Sequence, residues 1–202
     1  MKRKTTARRI GRPRSFDADQ ALDRALEVFR QKGYEGASLT DLTSAMGIER
    51  PSLYAAFGDK ESLFRRALDR YSERALCYIT EALREKRART AIERLLRGSV
   101  ASLTDSRSPK GCLTVQGALA CTESSEAIRE ELICRREQGE AAIRRRLQRA
   151  KREGDLRANS NPADLARYFA TVMQGMSVQA AGGASRRDLE HIVDAAMTAW
   201  PE

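Results

Sequence analysis

The twenty residues SLTDLTSAMGIERPSLYAAF, Ser38 to Phe57, limit this chain more than any other stretch. Leu42, Ala45 and Met46 make one apolar stripe at helical spacing, and Ile48, Leu53 and Phe57 make a second. Gly47 between them supplies a tight turn. Each segment is about two turns long, and helices that short do not hold alone in water. Both must pack against longer neighbours. Thr40 is the expected N-cap of the first short helix, over Asp41 to Met46, and Pro51 suits the first turn of the second, over Arg50 to Phe57. Upstream, Leu22, Ala25, Leu26 and Phe29 line one face of a helix capped by Asp17 and stopped by Gly33. Downstream, Gly58-Asp59 breaks the chain before a helix from Lys60 to roughly residue 86, with Leu63, Phe64, Ala67, Leu68 and Tyr71 as its stripe.

Three helices, the last two joined by a short Gly-containing turn, form a helix-turn-helix pattern. In that motif the second helix of the pair enters the DNA major groove. Here Arg50, Ser52, Tyr54 and Ala55 can face outward from it. Arg50 is the candidate base reader, because a guanidinium can donate twice to guanine, and Ser52 is a further candidate. Thr40, at a helix start, can hold a phosphate with its hydroxyl and neighbouring N–H groups.

Charge placement points the same way. The chain carries +9, of which residues 1 to 14 hold +7 with no acid. The remaining 30 basic and 28 acidic residues nearly cancel, and residues 15 to 75 hold 9 basic against 11 acidic. A basic arm of this kind, disordered on its own, meets polyanions. Within it, Arg12 and Arg14 of Gly-Arg-Pro-Arg suit the negative minor groove of A·T-rich DNA.

Further helices are expected at roughly 90–104, 110–121, 124–152, 162–182 and 186–199, separated by stretches rich in turn formers. With no alternating strand, the expected class is all-α: an arm at 1–14, a helix-turn-helix domain at 15–62, and a helical bundle at 63–202. No apolar run approaches the roughly 18 residues of a membrane span, and the basic start has no apolar core behind it, so a cytoplasmic protein is expected. Cys77, Cys112, Cys121 and Cys134 form no CxxC pair, so neither a disulfide framework nor a metal site is expected. His191 is the single histidine and no phosphate-cradling loop, GxSxG or HExxH occurs, so neither an enzyme nor a cofactor is expected.

The pattern F-x-x-K-G-Y-x-x-x-S-L-T-D-L-x-x-x-x-G-I-x-x-x-S-L-Y-x-x-F-x-x-K-E-x-L, from Phe29 to Leu63, resembles the DNA-binding domain of TetR/AcrR-family transcriptional regulators. The segment PKGCLTVQGALA is similar to one carried by a subset of that family. The resemblance implies an all-helical homodimer on a palindromic operator in double-stranded DNA, mostly a repressor that a small molecule releases. It implies that Tyr54 and Lys60 touch the DNA backbone. Ala55, Ala56 and Glu49 depart from the family pattern, which weakens the reading helix and leaves more of the holding to the arm. Some members sense electrophiles or oxidants through a cysteine in the segment that matches Cys112. An architectural DNA-binding protein without a ligand is a further alternative.

An effector pocket lined mainly by apolar groups would draw on Cys77, Leu96, Val100, Leu113, Gln116, Leu119, Ile128, Leu132, Tyr168, Val172 and Met173. Cys112, at a helix start behind Lys110, is the candidate reactive thiol. Ala170, Gly175, Met176, Ile192, Val193, Ala196 and Trp200 carry the small or flexible side chains expected at a twofold helical interface. The run Arg144-Arg145-Arg146 with Arg149, Lys151 and Arg152 is expected to be a solvated face.

Overall fold

The computed structural model describes residues 16–75, 77–106, 109–119 and 125–201. The arm, with Arg12 and Arg14, and Cys121 therefore lie outside the described residues, as do the side chains of Ala75, Ala118 and Leu119. Ten helices make up these segments, with no strand among them: α1 (Ala18–Gly36), α2 (Leu39–Met46), α3 (Arg50–Phe57), α4 (Lys60–Ala75) and α5 (Cys77–Leu83), then α6 (Ala88–Leu103), α7 (Leu113–Leu119), α8 (Glu126–Arg152), α9 (Pro162–Ala181) and α10 (Arg186–Met197).

Local chemistry sets the first breaks. Asp17 caps α1 by accepting from the N–H groups of Asp19 and Gln20. Gly33, at φ 69°, takes the left-handed turn that kinks α1 before its last residues. The start of α2 differs from the expectation. Ser38, not Thr40, is the N-cap: its hydroxyl accepts from Asp41 N–H at 3.0 Å while the Asp41 carboxylate accepts from Ser38 N–H at 3.0 Å. This reciprocal box satisfies two otherwise unpaired donors, which a Thr40 cap would leave open. Thr40 thus sits inside the first turn. Gly47, at φ 68°, caps the other end of α2. The Asp59 carboxylate accepts from Ser62 N–H at 2.7 Å, starting α4.

Two apolar clusters follow. The first gathers Phe29, Leu42, Leu53, Phe57, Leu63 and Phe64 from α1 to α4, with Phe29 and Phe64 edge to face at 4.9 Å. It also takes Leu113, Ile128 and Leu132 from α7 and α8. The second gathers Leu95, Leu96, Ile143, Leu147, Phe169 and Val193 from α6, α8, α9 and α10. Cys112, just ahead of α7, packs against both.

The arginine run of α8 is not uniformly solvated. Arg144 and Arg145 are exposed, but Arg146 is buried and donates to the carbonyls of Glu85 and Lys86 at 2.9 and 3.0 Å. Asp155 accepts from Ala88 N–H, so the two charges clamp the end of α5 and the start of α6, each complementing a helix dipole. Sequence spacing cannot distinguish Arg146 from its neighbours, since only the facing turn supplies its acceptors.

Candidate DNA-binding surface and effector cavity

The α2–α3 corner leaves a shallow concavity lined by Phe16, Thr40, Thr43, Ser44, Gly47, Ile48, Glu49, Arg50 and Ser52. Its position follows from the two stripes: with Leu42, Met46, Leu53 and Phe57 turned inward, the opposite helix faces must be outward. Arg50 extends across the corner and donates from Nη2 to Thr40 Oγ1 at 3.1 Å. Thr40, Arg50 and Ser52 therefore share one surface. Tyr54 and Lys60 lie beside it. Tyr54 is 50% exposed, and among the described residues no ring or cation holds it. Lys60 Nζ sits 4.4 Å above the Tyr34 ring, and its partial burial lowers its pKa against the opposing effect of Glu35. Glu49 is exposed at the N-cap of α3 and makes no side-chain cap bond. Thr43 and Ser44 also line the concavity, and sequence reasoning passes over both. Their signal is the outward face of α2, one turn on from Thr40.

Beneath Asp41 the electrostatics are firm. Hydrogen bonds from Lys32 and Ser38 hold its carboxyl down to about 2, with Lys32 Nζ at 2.6 Å. The capping box therefore stays ionised throughout the ordinary pH range.

The second site is a cavity of about 110 Å³ walled by α4, α5, α6, α7, α8 and α9. Ile79, Leu95, Leu103, Val115, Ile143 and Met173 supply its apolar wall. Tyr71, Tyr78, Ser99, Ser102, Thr114, Gln174 and Ser177 supply hydroxyl and amide groups. Burial pushes both tyrosines well above their usual pKa, so both remain phenols. Gly98 makes room for Tyr78: a Cβ there would stand 2.6 Å from the ring.

Cys112 lies in the wall with its surroundings well defined. The Tyr71 hydroxyl donates to Sγ at 3.4 Å, Thr114 Oγ1 is 3.1 Å away, and Cys112 N–H donates to Ser177 Oγ at 2.8 Å. One step back, Arg30 of α1 donates to the carbonyl of Pro109 at 3.1 Å and lies 5.5 Å from the Tyr71 ring centre. The wall of the cavity is thereby tied to the first helix of the DNA-binding corner.

Of the expected lining residues, the cavity includes Met173. The others stand elsewhere, and the reasons are tertiary. Cys77 is exposed; Leu96 and Val100 belong to the second core, and Leu113, Ile128 and Leu132 to the first. Val172 packs at the margin of the second core. Gln116 covers Gly111, where a Cβ would come within 2.3 Å of its amide nitrogen. Tyr168 is 40% exposed beside Phe169. The side chain of Leu119 is outside the described residues. Among the expected interface residues, Met176, Val193, Ala196 and Trp200 are buried in the chain's own core, and Ala170 lines the cavity. Gly175 is exposed and Ile192 half-buried. Helical spacing marks an apolar face but not which neighbour covers it.

A helix-turn-helix corner joined to a helical bundle with an internal cavity defines a class, the effector-responsive DNA-binding regulators. Comparison with known proteins gives the family. Residues 21–67 match the model of bacterial regulatory proteins of the tetR family, and residues 88–196 match the tetracyclin repressor-like C-terminal domain. ComR of Escherichia coli strain K12, an HTH-type transcriptional repressor, is 34% identical over 194 residues, 95% of this chain and 92% of ComR. BdcR of the same strain, also an HTH-type transcriptional repressor, is 30% identical over 192 residues, 94% and 91% of the two chains. Among solved structures, a cysteine-substituted variant of the TetR family regulator CifR, complexed with 26-base-pair double-strand operator DNA, is 46% identical. It superposes with a TM-score of 0.91 over 94% of this chain and all of CifR. The chain belongs to the TetR family of DNA-binding transcriptional regulators. Among the described residues no helix is long and apolar enough to cross a membrane.

Proposed function

We propose that this chain is a cytoplasmic, non-enzymatic repressor that grips a palindromic operator as a homodimer and lets go when a small molecule fills the cavity beside Cys112. The observation that carries the reading is the tie between the two sites. Cys112 packs against both cores, and Tyr71 and Arg30 link its segment to α4 and α1. An occupant that moves this segment moves the base on which the reading helix stands. In a twofold dimer the two reading helices must meet major grooves about 34 Å apart, so a small change in their spacing weakens binding. Such coupling typically amounts to about 1–3 kcal/mol.

In this reading Arg50 reaches a base edge and Ser52 assists, while Thr40, Tyr54 and Lys60 hold phosphates. Arg12 and Arg14 follow the minor groove. Tyr168, Gly175 and Val178 leave an exposed stripe on α9 for the second copy. The relatives support the direction of regulation, since ComR and BdcR are repressors and CifR binds a defined operator. Footprinting across the flanking intergenic DNA tests the reading: one protected palindrome is expected, and uniform coating would favour an architectural protein.

A second reading rests on the thiol itself. Cys112 faces the cavity with the Tyr71 hydroxyl directed at its sulfur, so a reactive small molecule could modify it and trigger release. In a background where Cys77, Cys121 and Cys134 are serine, N-ethylmaleimide should then release the operator. Adding Cys112→Ser should abolish that release.

A further inference from the structure

Every described lysine or arginine that is buried or half-buried has a protein partner, with one exception. Arg30 donates to a carbonyl, Lys60 lies on a ring, Arg65 pairs with Glu61, and Arg70 reaches Asp19 and Asp23. Arg135 pairs with Asp69 and Glu131 at 2.7 Å each, and Arg146 holds two carbonyls. Arg136 is the exception. It is half-buried on α8, and among the described residues it has neither a carboxylate in reach nor a hydrogen-bond partner. It is also a wall of the cavity.

The Arg136 guanidinium nitrogens keep contact with water, and an anion that enters the cavity would take the place of that water. The acid on the same wall does not pair with Arg136, because Glu140 faces Arg167 at 3.7 Å. Arg135, next in sequence, is already matched. The cavity therefore carries one guanidinium without an ion pair or hydrogen bond among the described residues, beside an apolar interior of Ile79, Leu103, Ile143 and Met173.

We infer that the cavity takes a small organic carboxylate, its anionic head paired with the Arg136 guanidinium and its apolar body lying between α5, α6 and α9. A guanidinium presents parallel N–H donors that match the two carboxylate oxygens, and such a pair strengthens where water is thin. The apolar walls reward a hydrocarbon or aromatic body and give small inorganic anions little to hold. The hydroxyls of Tyr78 and Ser99, hydrogen-bonded to each other, line the same cavity. This inference rests on the cavity being the effector site.

The test compares matched pairs on the full-length dimer at fixed ionic strength: hexanoate with hexanamide, and benzoate with benzamide. Titration calorimetry reads binding, and fluorescence anisotropy reads operator affinity. At least one carboxylate should bind about tenfold or more tightly than its amide, the scale of a charge-assisted pair. Arg136→Gln should erase that preference, and Arg136→Lys should restore part of it; an unchanged unfolding midpoint certifies the fold of both variants. Amides that bind as well as both carboxylates overturn the inference, as does a preference that survives Arg136→Gln. So does a shift in dimer dissociation with ligand binding unaltered, since Arg136 would then serve the partner subunit. If amides and carboxylates release the operator equally, the effector reading stands and only the charge preference fails. If carboxylates bind through Arg136 but operator affinity does not move, the charge preference stands and the effector reading fails.

Discussion

The two sites of this protein are assembled in opposite ways. The concavity at the α2–α3 corner draws eight of its nine residues from a stretch of thirteen, Thr40 to Ser52, with Phe16 as the outlier. The cavity takes its wall from six helices and the segment before α7, between Tyr71 and Ser177. The first is open, polar and shaped by caps and a glycine turn, so local rules build it. The second is largely apolar and more recessed than the first, and exists only because long helices leave a gap where they cross. A substitution at the corner should act on one function at a time, whereas one in the wall should couple stability, ligand binding and operator release.

The sharpest way to break that contrast is the shared core. Phe64 is fully buried against Phe29 and Tyr34, so Phe64→Ala should cost about 3–5 kcal/mol in urea unfolding. A decrease below about 1 kcal/mol would mean that the corner does not depend on this packing. Next in size is the arm. Removing residues 2–14 should weaken operator binding across all sequences and flatten the salt dependence, by about 0.9 in log–log slope for each phosphate the arm neutralises. An unchanged slope would return the holding to the helices.

Arg50→Ala should cost about 1–3 kcal/mol and relax the preference at one base of each half-site, leaving the salt slope nearly intact. A uniform weakening over all base substitutions, with a shallower slope, would make Arg50 a phosphate ligand instead. Ser38→Ala should cost about 1 kcal/mol, read by thermal unfolding. Its partner Asp41 supplies the smallest effect and a pH signature. Its folded pKa of about 2 lies below the ordinary 3.8, so the stability it adds is full above about pH 4. That stability declines as pH falls toward 2. In Asp41→Asn this part of the acid-unfolding profile should vanish, and a profile identical to that of the parent chain would remove Asp41 from the account.

These differences in construction also set what is legible in the order of residues. Asp17, Gly33, Gly47 and Asp59 act on residues within four positions of themselves, so the breaks of the first four helices can be read directly. Ser38 is legible in principle, since Ser38 and Asp41 have capping-box spacing, but Thr40 is an equally plausible hydroxyl. Leu113, Ile128 and Leu132 are inside as expected, yet in a core and not in a pocket wall, because apolar periodicity reports burial and not the neighbour. Arg136 and Arg146 are both arginines of α8. One holds the turn between α5 and α6, the other stands unpaired in a cavity, and nothing local separates them.

The sequence by itself determined the all-helical class, the helix-turn-helix corner and the outward residues on it, because helix periods, caps and glycine turns operate over a few residues. Only the tertiary structure decided where the cavity lies, that Cys112 joins two cores, and which half-buried arginine is left without a protein partner. Those properties depend on residues dozens of positions apart meeting in space, for which a chain read in order carries no local signal.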